Sequence, residues 1–443
     1  MPSQNARRHV PCPTVAHSRR SHRPHLPHEP FAAFVGSDWA DATHALCLQA
    51  AGSTTREARS LDHTPEAIDA WVCPLRQRFG GHPVAICLEL NKGPSVSALC
   101  TYEFLVLFPV NPLTLARYRE AFTPSRAKDD PTDAARQLEL LLKHRHKLPP
   151  LQPQSPQMRA LAQLVEARRR LVGEKVRLTH RLTRALKHSF PHVLRWFEEK
   201  DTVIFCDFLS RWPTLTTVPL AHRATLEPFF RDHHVRSAAG ITQRLQAIKA
   251  APPLTTDEGI MTPNVLFVQA LVAQLRVTLQ ALADFDHAMT QHAQHHPDFP
   301  LFQALPGAGP VFAPRLLVAC GAQRDRSPSA AALQQYAGIA PVTERRGKQA
   351  WGHWRLPCPT CLRQTFVAWA AASIRPSCWA QVYDQQQRAK GQRPQAAVRA
   401  LAFQWLRILS RCWQDRTPYE ESIYLQARTR RGSSLLHNLA KSC

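Results

Sequence analysis

Four carboxylates stand where phosphodiester chemistry would need them. Asp38 closes the apolar run FVGSDWA, Glu89 lies near the end of VAICLEL, and Asp130 and Asp133 sit in KDDPTDAARQLELLL. The i, i+3 spacing of the last two places both on one face at the start of a helix, while Asp129 points elsewhere. An acid at the end of an apolar strand projects from a rigid edge, where it can meet others in space. Converging carboxylates repel one another unless a cation lies between them. Mg²⁺ suits such hard oxygen donors, and two Mg²⁺ ions ~3.5–4 Å apart clamp the attacking and leaving oxygens of a phosphodiester. Taken singly, each acid also fits a local role: a helix dipole favours Asp130 and Asp133, and strand ends tolerate Asp38 and Glu89. The order of strand Asp, strand Glu and helix Asp-x-x-Asp is what points to metal-dependent chemistry.

These acids need a frame. Short apolar runs bounded by Gly, Pro and polar turns at 34–38, 44–49, 84–90 and 104–111 predict strands, the first two paired as an antiparallel hairpin. Over 64–79, Ile68, Trp71, Val72 and Leu75 carry the 3.6-residue stripe of an amphipathic helix. After Pro124 the pattern turns helical, with Pro131 near a helix start and Ala134, Leu138, Leu141 and Leu142 preceding the Pro149-Pro150 stop. Leu164, Leu171 and Leu178 recur at heptad spacing in a helix over about 157–189, as do Val268, Leu275 and Leu282 over about 264–288. Two such stripes predict an antiparallel coiled-coil arm or a helical bundle. The chain thus reads as a disordered basic tail over 1–30, an α/β catalytic domain over 31–150 and a helical, coiled-coil region over 151–299. A helical C-terminal domain over 300–425 and a flexible basic tail over 426–443 follow.

Charge names the class of partner. The 443 residues include 56 Lys plus Arg against 33 Asp plus Glu, a formal net charge of +23, which points to a polyanion such as DNA or RNA. Residues 115–190 carry 17 basic and 7 acidic side chains and residues 300–443 carry 20 and 6, so the polyanion is expected along these two stretches. Nothing approaches the ~18 consecutive apolar residues of a membrane helix, and the N-terminus lacks the apolar core of a secretory signal. A bacterial cytoplasm, in association with the nucleoid, is the expected location. Twelve scattered Cys in so long a chain argue for reduced thiols. Cys358-x-x-Cys361 has no second pair to complete a structural zinc site.

The motifs GSDWA at 36–40, CLELNKG at 87–93, PVNP at 109–112 and KDDPTDA at 128–134 together resemble the DEDD insertion-sequence transposases, which include the Piv-type DNA invertases and the bridge-RNA-guided recombinases. In the C-terminal half, PGAGP, then LQQYAGIAPVTERRGK at 333–348, then CLRQTFVAWA at 361–370 resemble the family's second domain, with a helix-hairpin-helix-like turn at its start. The resemblance covers roughly residues 31–430. It implies a RuvC-like ribonuclease-H fold over 31–150, with Asp38, Glu89, Asp130 and Asp133 as ligands of two Mg²⁺ ions. It further implies a coiled-coil arm that pairs protomers into a dimer or tetramer, and a structured guide RNA. In relatives a serine of the second domain attacks the DNA phosphate, in a composite centre with the DEDD site of another subunit. Counted from Pro341, that position falls on Arg346, followed by Gly347. Arginine has no nucleophile at neutral pH, because its guanidinium stays charged and only donates hydrogen bonds. Thr343, the nearest hydroxyl, is three positions away.

Candidate nucleic-acid contacts follow from chemistry and place. Arg126 and Lys128 precede the Asp-x-x-Asp helix, and Gly307 and Gly309 flank a turn whose N–H groups suit a phosphate. Arg345, Lys348, Arg355 and Arg363 lie among Trp351 and Trp354, and such Arg and aromatic interleaving can stack unpaired bases. Trp369 and Trp405 are expected in a helical core. The leading expectation is a transposase or DNA recombinase of a mobile element, with Mg²⁺-dependent strand cleavage and exchange. Two others stand beside it: a RuvC-like nuclease or junction resolvase that uses water, with Arg346 clamping a phosphate, and a catalytically silent nucleic-acid-binding remnant.

Overall fold

The computed structural model describes residues 30–89, 93–122, 129–152, 154–218, 223–325, 327–356 and 358–430. Nearly all of the expected N-terminal tail, and 431–443 of the C-terminal one, lie outside these. The chain divides into two compact units, 1–153 and 154–443.

In the first unit a five-stranded sheet carries the candidate acids Asp38 and, just past its fourth strand, Glu89. Its strands are β1 (Ala33–Trp39), β2 (Thr43–Ala50), β3 (Glu57–Asp62), β4 (Val84–Leu88) and β5 (Leu105–Pro109), in the order β3-β2-β1-β4-β5. β1 pairs antiparallel with β2 and β2 with β3, whereas β1–β4 and β4–β5 are parallel. The expected hairpin of the first two strands is present. The edge strand β3, EARSLD, was not anticipated, because only its Leu61 is buried. Charged, exposed edges of this kind resist pairing with other chains.

Helices cover both faces. α1 (Pro65–Arg78) begins where the Thr64 hydroxyl accepts from the Ala67 N–H at 3.1 Å, and its Ile68, Trp71, Val72 and Leu75 pack with Val35, Leu46, Val84, Ile86 and Leu88. α2 (Pro94–Leu99) and α3 (Pro112–Phe122) follow β4 and β5. α4 (Asp130–His144) lies on the opposite face, where its Leu140 and Leu141 meet Ala85, Cys87, Val106 and Phe108. With both faces covered, β4 and β5 read as unbroken apolar runs.

The second unit is built on two long helices. α5 (Pro156–Ser189) starts at Ser155, whose hydroxyl accepts from the Met158 N–H at 3.2 Å. Four helices follow it, α6 (Val193–Trp196), α7 (Val203–Arg211), α8 (Arg223–Asp232) and α9 (Ala238–Lys249), around a core of Phe190, Trp196, Phe205, Phe208, Phe229 and Phe230. α10 (Glu258–Gln294) then returns antiparallel along α5, since Arg168 pairs with Asp286 while Arg181 lies over the Phe267 ring. Leu178 on α5 and Val268, Leu275 and Leu282 on α10 are buried as the heptads predict. Leu164 and Leu171 are only half-buried, and Leu161 and Val165 take the inward positions instead. α10 has the length and apolar content of a membrane span, but its Val268, Leu271, Val272 and Leu275 pack into the core around α7–α9.

The C-terminal part comprises α11 (Phe299–Gln303), α12 (Gly309–Cys320), α13 (Ala330–Tyr336), a two-stranded ribbon of β6 (Val342–Arg346) and β7 (Gln349–His353), α14 (Thr360–Ser373), α15 (Cys378–Ala389), α16 (Pro394–Asp415) and α17 (Glu421–Arg430). Trp369, Trp379, Trp405 and Trp413 are buried, and this core also takes in Met158, Leu161, Val165 and Met289 from the near ends of α5 and α10. α17 makes the first residues of the expected flexible tail, 426–430, helical.

Candidate active site

Strand register brings the first two acids together. The parallel β1–β4 ladder pairs Gly36 with Cys87 and Ser37 with Leu88, so the next step sets Asp38 beside Glu89, on strands ~4.8 Å apart. Side chains alternate along β1: Val35 packs toward α1, whereas Phe34 packs toward α4, as Gly36 and Asp38 do two and four residues on. On β4, Cys87 faces α4, and Glu89 shares its side. Burial pushes the Cys87 thiol up to about 12, and the nearby Glu89 carboxylate adds to the shift.

The helix is seated by a missing side chain. A Cβ on Gly36 would fall on the Ala134 carbonyl oxygen and the Leu138 amide nitrogen, so α4 lies directly on β1 at this point. The Gln137 side-chain oxygen accepts from the Ser37 N–H at 3.2 Å and fixes the register of helix against strand. Phe31, ahead of β1, packs with Leu140 and Leu141 further along α4, so the helix runs antiparallel to the strand. Its first turn therefore lies toward the C-terminal ends of β1 and β4. Asp129 caps that turn by accepting from the Thr132 N–H and hydroxyl, at 3.3 and 2.8 Å.

The four acids differ in surroundings. Asp38 is 8% exposed and Asp133 1%, Glu89 is half-buried, and Asp130 is exposed. Both oxygens of Asp133 are held by Arg119 of α3, at 2.8 Å from Nε and 2.5 Å from Nη2. Sequence reading missed Arg119, because α3 carries no pattern that marks one arginine from another. Its placement depends on the PVNP motif: Val110 extends the sheet by donating to the Leu88 carbonyl, and the Asn111 side chain accepts from the Leu113 N–H at 2.9 Å to start α3. Among the described residues no three His, Cys, Asp or Glu side chains gather as a metal centre. The all-carboxylate donor set fits a hard divalent cation in its chemistry, while the Arg119 guanidinium now supplies the positive charge at Asp133.

Behind the site, on the α1 side of the sheet, His44 is 1% exposed, Trp39 lies over it with ring centroids 3.8 Å apart, and its Nε2 is 2.9 Å from His63 Nδ1. Burial, with the charge of His63 adding to it, lowers the His44 pKa to about 4. This group too was missed, since His44 and His63 are 19 residues apart and nothing in the sequence pairs them.

The expected nucleic-acid contacts separate into three sets. Arg126 and Lys128 lie outside the described residues. Gly307 has φ +71° and a Cβ there would meet the backbone of Ala372 and Ser373 on α14, so close packing explains it, whereas Gly309 faces open space. Arg345, Arg346 and Lys348 are exposed at the end of the β6–β7 ribbon, with Thr343 on the same ribbon. Trp351 is 43% exposed. Trp354 is not: it lies half-buried, with the Arg363 and Arg399 guanidinium carbons 5.0 and 4.5 Å from its ring centroid. Arg363 also donates to the Arg355 carbonyl at 2.9 Å, so it braces the fold beneath the ribbon.

Comparison with known proteins identifies the family. The family model for DEDD transposases of the IS110 type, described as Transposase, matches residues 35–191, and that described as Transposase IS116/IS110/IS902 family matches residues 300–385. A Streptomyces coelicolor mini-circle protein, named as the candidate transposase for IS117, is 28% identical over 403 residues, covering 88% of this chain and 95% of the relative. The uncharacterized 43.6 kDa protein of insertion element IS110, also from Streptomyces coelicolor, is 26% identical over 303 residues, covering 67% of this chain and 73% of the relative. Matched to one family in both its N-terminal and C-terminal parts, and aligned along most of its length with a relative, the chain belongs to the IS110-type DEDD transposases.

Proposed function

We propose that this chain cuts DNA at the ends of a mobile element, with Asp38, Glu89, Asp130 and Asp133 as the carboxylates of a ribonuclease-H-type, RuvC-like centre, and that strand exchange needs a serine at the position Arg346 occupies. The observation that carries the reading is the β1–β4 register, which sets Asp38 beside Glu89 under the first turn of α4. These residues would hold two Mg²⁺ ions, which, when bound, polarise the phosphodiester. The chain's own part is to orient: Gly36 and Gln137 fix helix against strand, and Arg119 holds both oxygens of the buried Asp133. The basic side chains of 115–190 and 300–443 hold nucleic-acid backbones, DNA and a structured guide RNA. The α5–α10 pair serves as the arm that joins copies into a homo-oligomer, working in the cytoplasm on nucleoid DNA.

Asp38→Ala and Asp130→Ala are expected to abolish Mg²⁺-dependent cleavage of supercoiled DNA while sparing most DNA binding. Undiminished cleavage by both variants would overturn the assignment.

A second reading rests on Arg346. With a guanidinium in place of the serine hydroxyl, the same carboxylates would direct water, and Arg346 would clamp a phosphate. Nicking without a covalent protein–DNA adduct is the outcome that favours it, and binding without any nicking favours the silent remnant.

A further inference from the structure

The β6–β7 ribbon has no covered face. Every residue of 343–353 is exposed, and the two strands form a sheet of their own. An isolated hairpin is only marginally stable in water. This one stands on a braced foot, where Arg363 and Arg399 hold Trp354. Its register sets Glu344, Arg346, Gln349, Trp351 and His353 on one face and Thr343, Arg345, Ala350 and Gly352 on the other. Gly347, at φ +60°, and Lys348 make the two-residue turn. Three cations, Arg345, Arg346 and Lys348, thus crowd the free end, while Glu344, the ribbon's one acid, faces His353 at 3.5 Å.

We infer that this ribbon docks into the major groove of duplex DNA. The inference rests on the transposase reading for the presence of DNA. Five-residue strands span ~17 Å, and a two-stranded ribbon matches a B-form major groove ~12 Å wide and ~8.5 Å deep. Arg346 and Gln349, cross-strand neighbours beside the turn, are the side-chain types that meet guanine and adenine edges in that groove. Arg345 and Lys348 reach the flanking phosphates, and Ala350 and Gly352 leave the opposite face thin enough to lie against a groove wall. An RNA duplex does not fit the same element, because the A-form major groove is too deep and narrow for side chains to read.

The test uses the full chain and a fluorescent mixed-sequence DNA duplex, with an RNA duplex of the same sequence beside it, over a salt series. The triple variant Arg345→Ala/Arg346→Ala/Lys348→Ala should bind the DNA duplex roughly tenfold or more weakly, with a shallower salt dependence, and leave RNA-duplex binding unchanged. Protection of guanine N7 from dimethyl sulfate, a major-groove signal, should disappear in the triple variant and weaken in Gln349→Ala. Because no ribbon side chain is packed in a core, circular dichroism should match that of the wild type. Unchanged DNA affinity and N7 protection, or an equal loss on RNA, overturns the inference. If Asp38-dependent cleavage persists alongside such a result, the ribbon assignment fails and the transposase reading stands. A wild type that binds neither duplex overturns both.

Discussion

Arg119 grips both carboxylate oxygens of Asp133, a side chain with 1% of its surface exposed, by a forked pair at 2.8 and 2.5 Å. Such bidentate pairs are among the stronger charge-assisted contacts, and this one is largely removed from water. The charge of this carboxylate, the fourth of the proposed site, is therefore balanced from within the fold, by a helix that the PVNP segment starts.

Arg119→Gln leaves that carboxylate buried without a cation. The expected cost is about 3–5 kcal/mol of stability in chemical denaturation. Because a divalent cation can replace the lost charge, Mg²⁺ should raise the thermal midpoint of the variant more than that of the wild type. A variant as stable as the wild type, or one indifferent to Mg²⁺, would mean that Arg119 does not hold the site.

Gly36 is the point where helix and strand touch. Gly36→Ala puts a methyl group onto the Ala134 carbonyl and the Leu138 amide, and overpacking at such a backbone contact costs about 1–3 kcal/mol. The forced separation moves Asp38 away from Asp130 and Asp133, so cleavage should fall further than stability does. Full activity in a folded Gly36→Ala protein would show that the β1–α4 spacing is not what sets the site.

His44 gives the first unit a pH signature. Its pKa lies near 4 in the fold against 6.5 for the free side chain, so the unfolded chain takes up this proton first as pH falls. The stability tied to a neutral His44 is present above pH 6.5 and is lost between pH 6.5 and pH 4. The thermal midpoint should drop over that window by more in the wild type than in His44→Leu. Parallel pH profiles for the two proteins would contradict the assignment.

Most of the sheet was legible because β1, β2, β4 and β5 are apolar runs between turn residues, and the same alternation put Asp38 and Glu89 at strand ends. The helices α1, α4, α5 and α10 were legible from their stripes, and α4 also from Pro131 near its start, although α10 begins at Glu258 with Pro263 inside it. What escaped lacks such a signal. β3 buries only Leu61, and the β6–β7 ribbon buries almost nothing, so no pattern distinguishes either from a loop. Arg119 and Gln137 act through partners 14 and 100 residues away, and sequence spacing does not report contacts made by tertiary packing. Trp354 looked like a base-stacking residue among arginines, and the fold instead uses those arginines to clamp it.

The most direct measurement compares wild type, Arg346→Ser and Asp38→Ala on supercoiled DNA carrying the element junction, with Mg²⁺ and the flanking RNA, scoring nicks and covalent protein–DNA adducts. A metal-dependent transposase centre with its serine position altered should give adduct only with Arg346→Ser, and neither product with Asp38→Ala. Cleavage by Asp38→Ala at the wild-type level, or the absence of both nicks and adduct from Arg346→Ser, would contradict it.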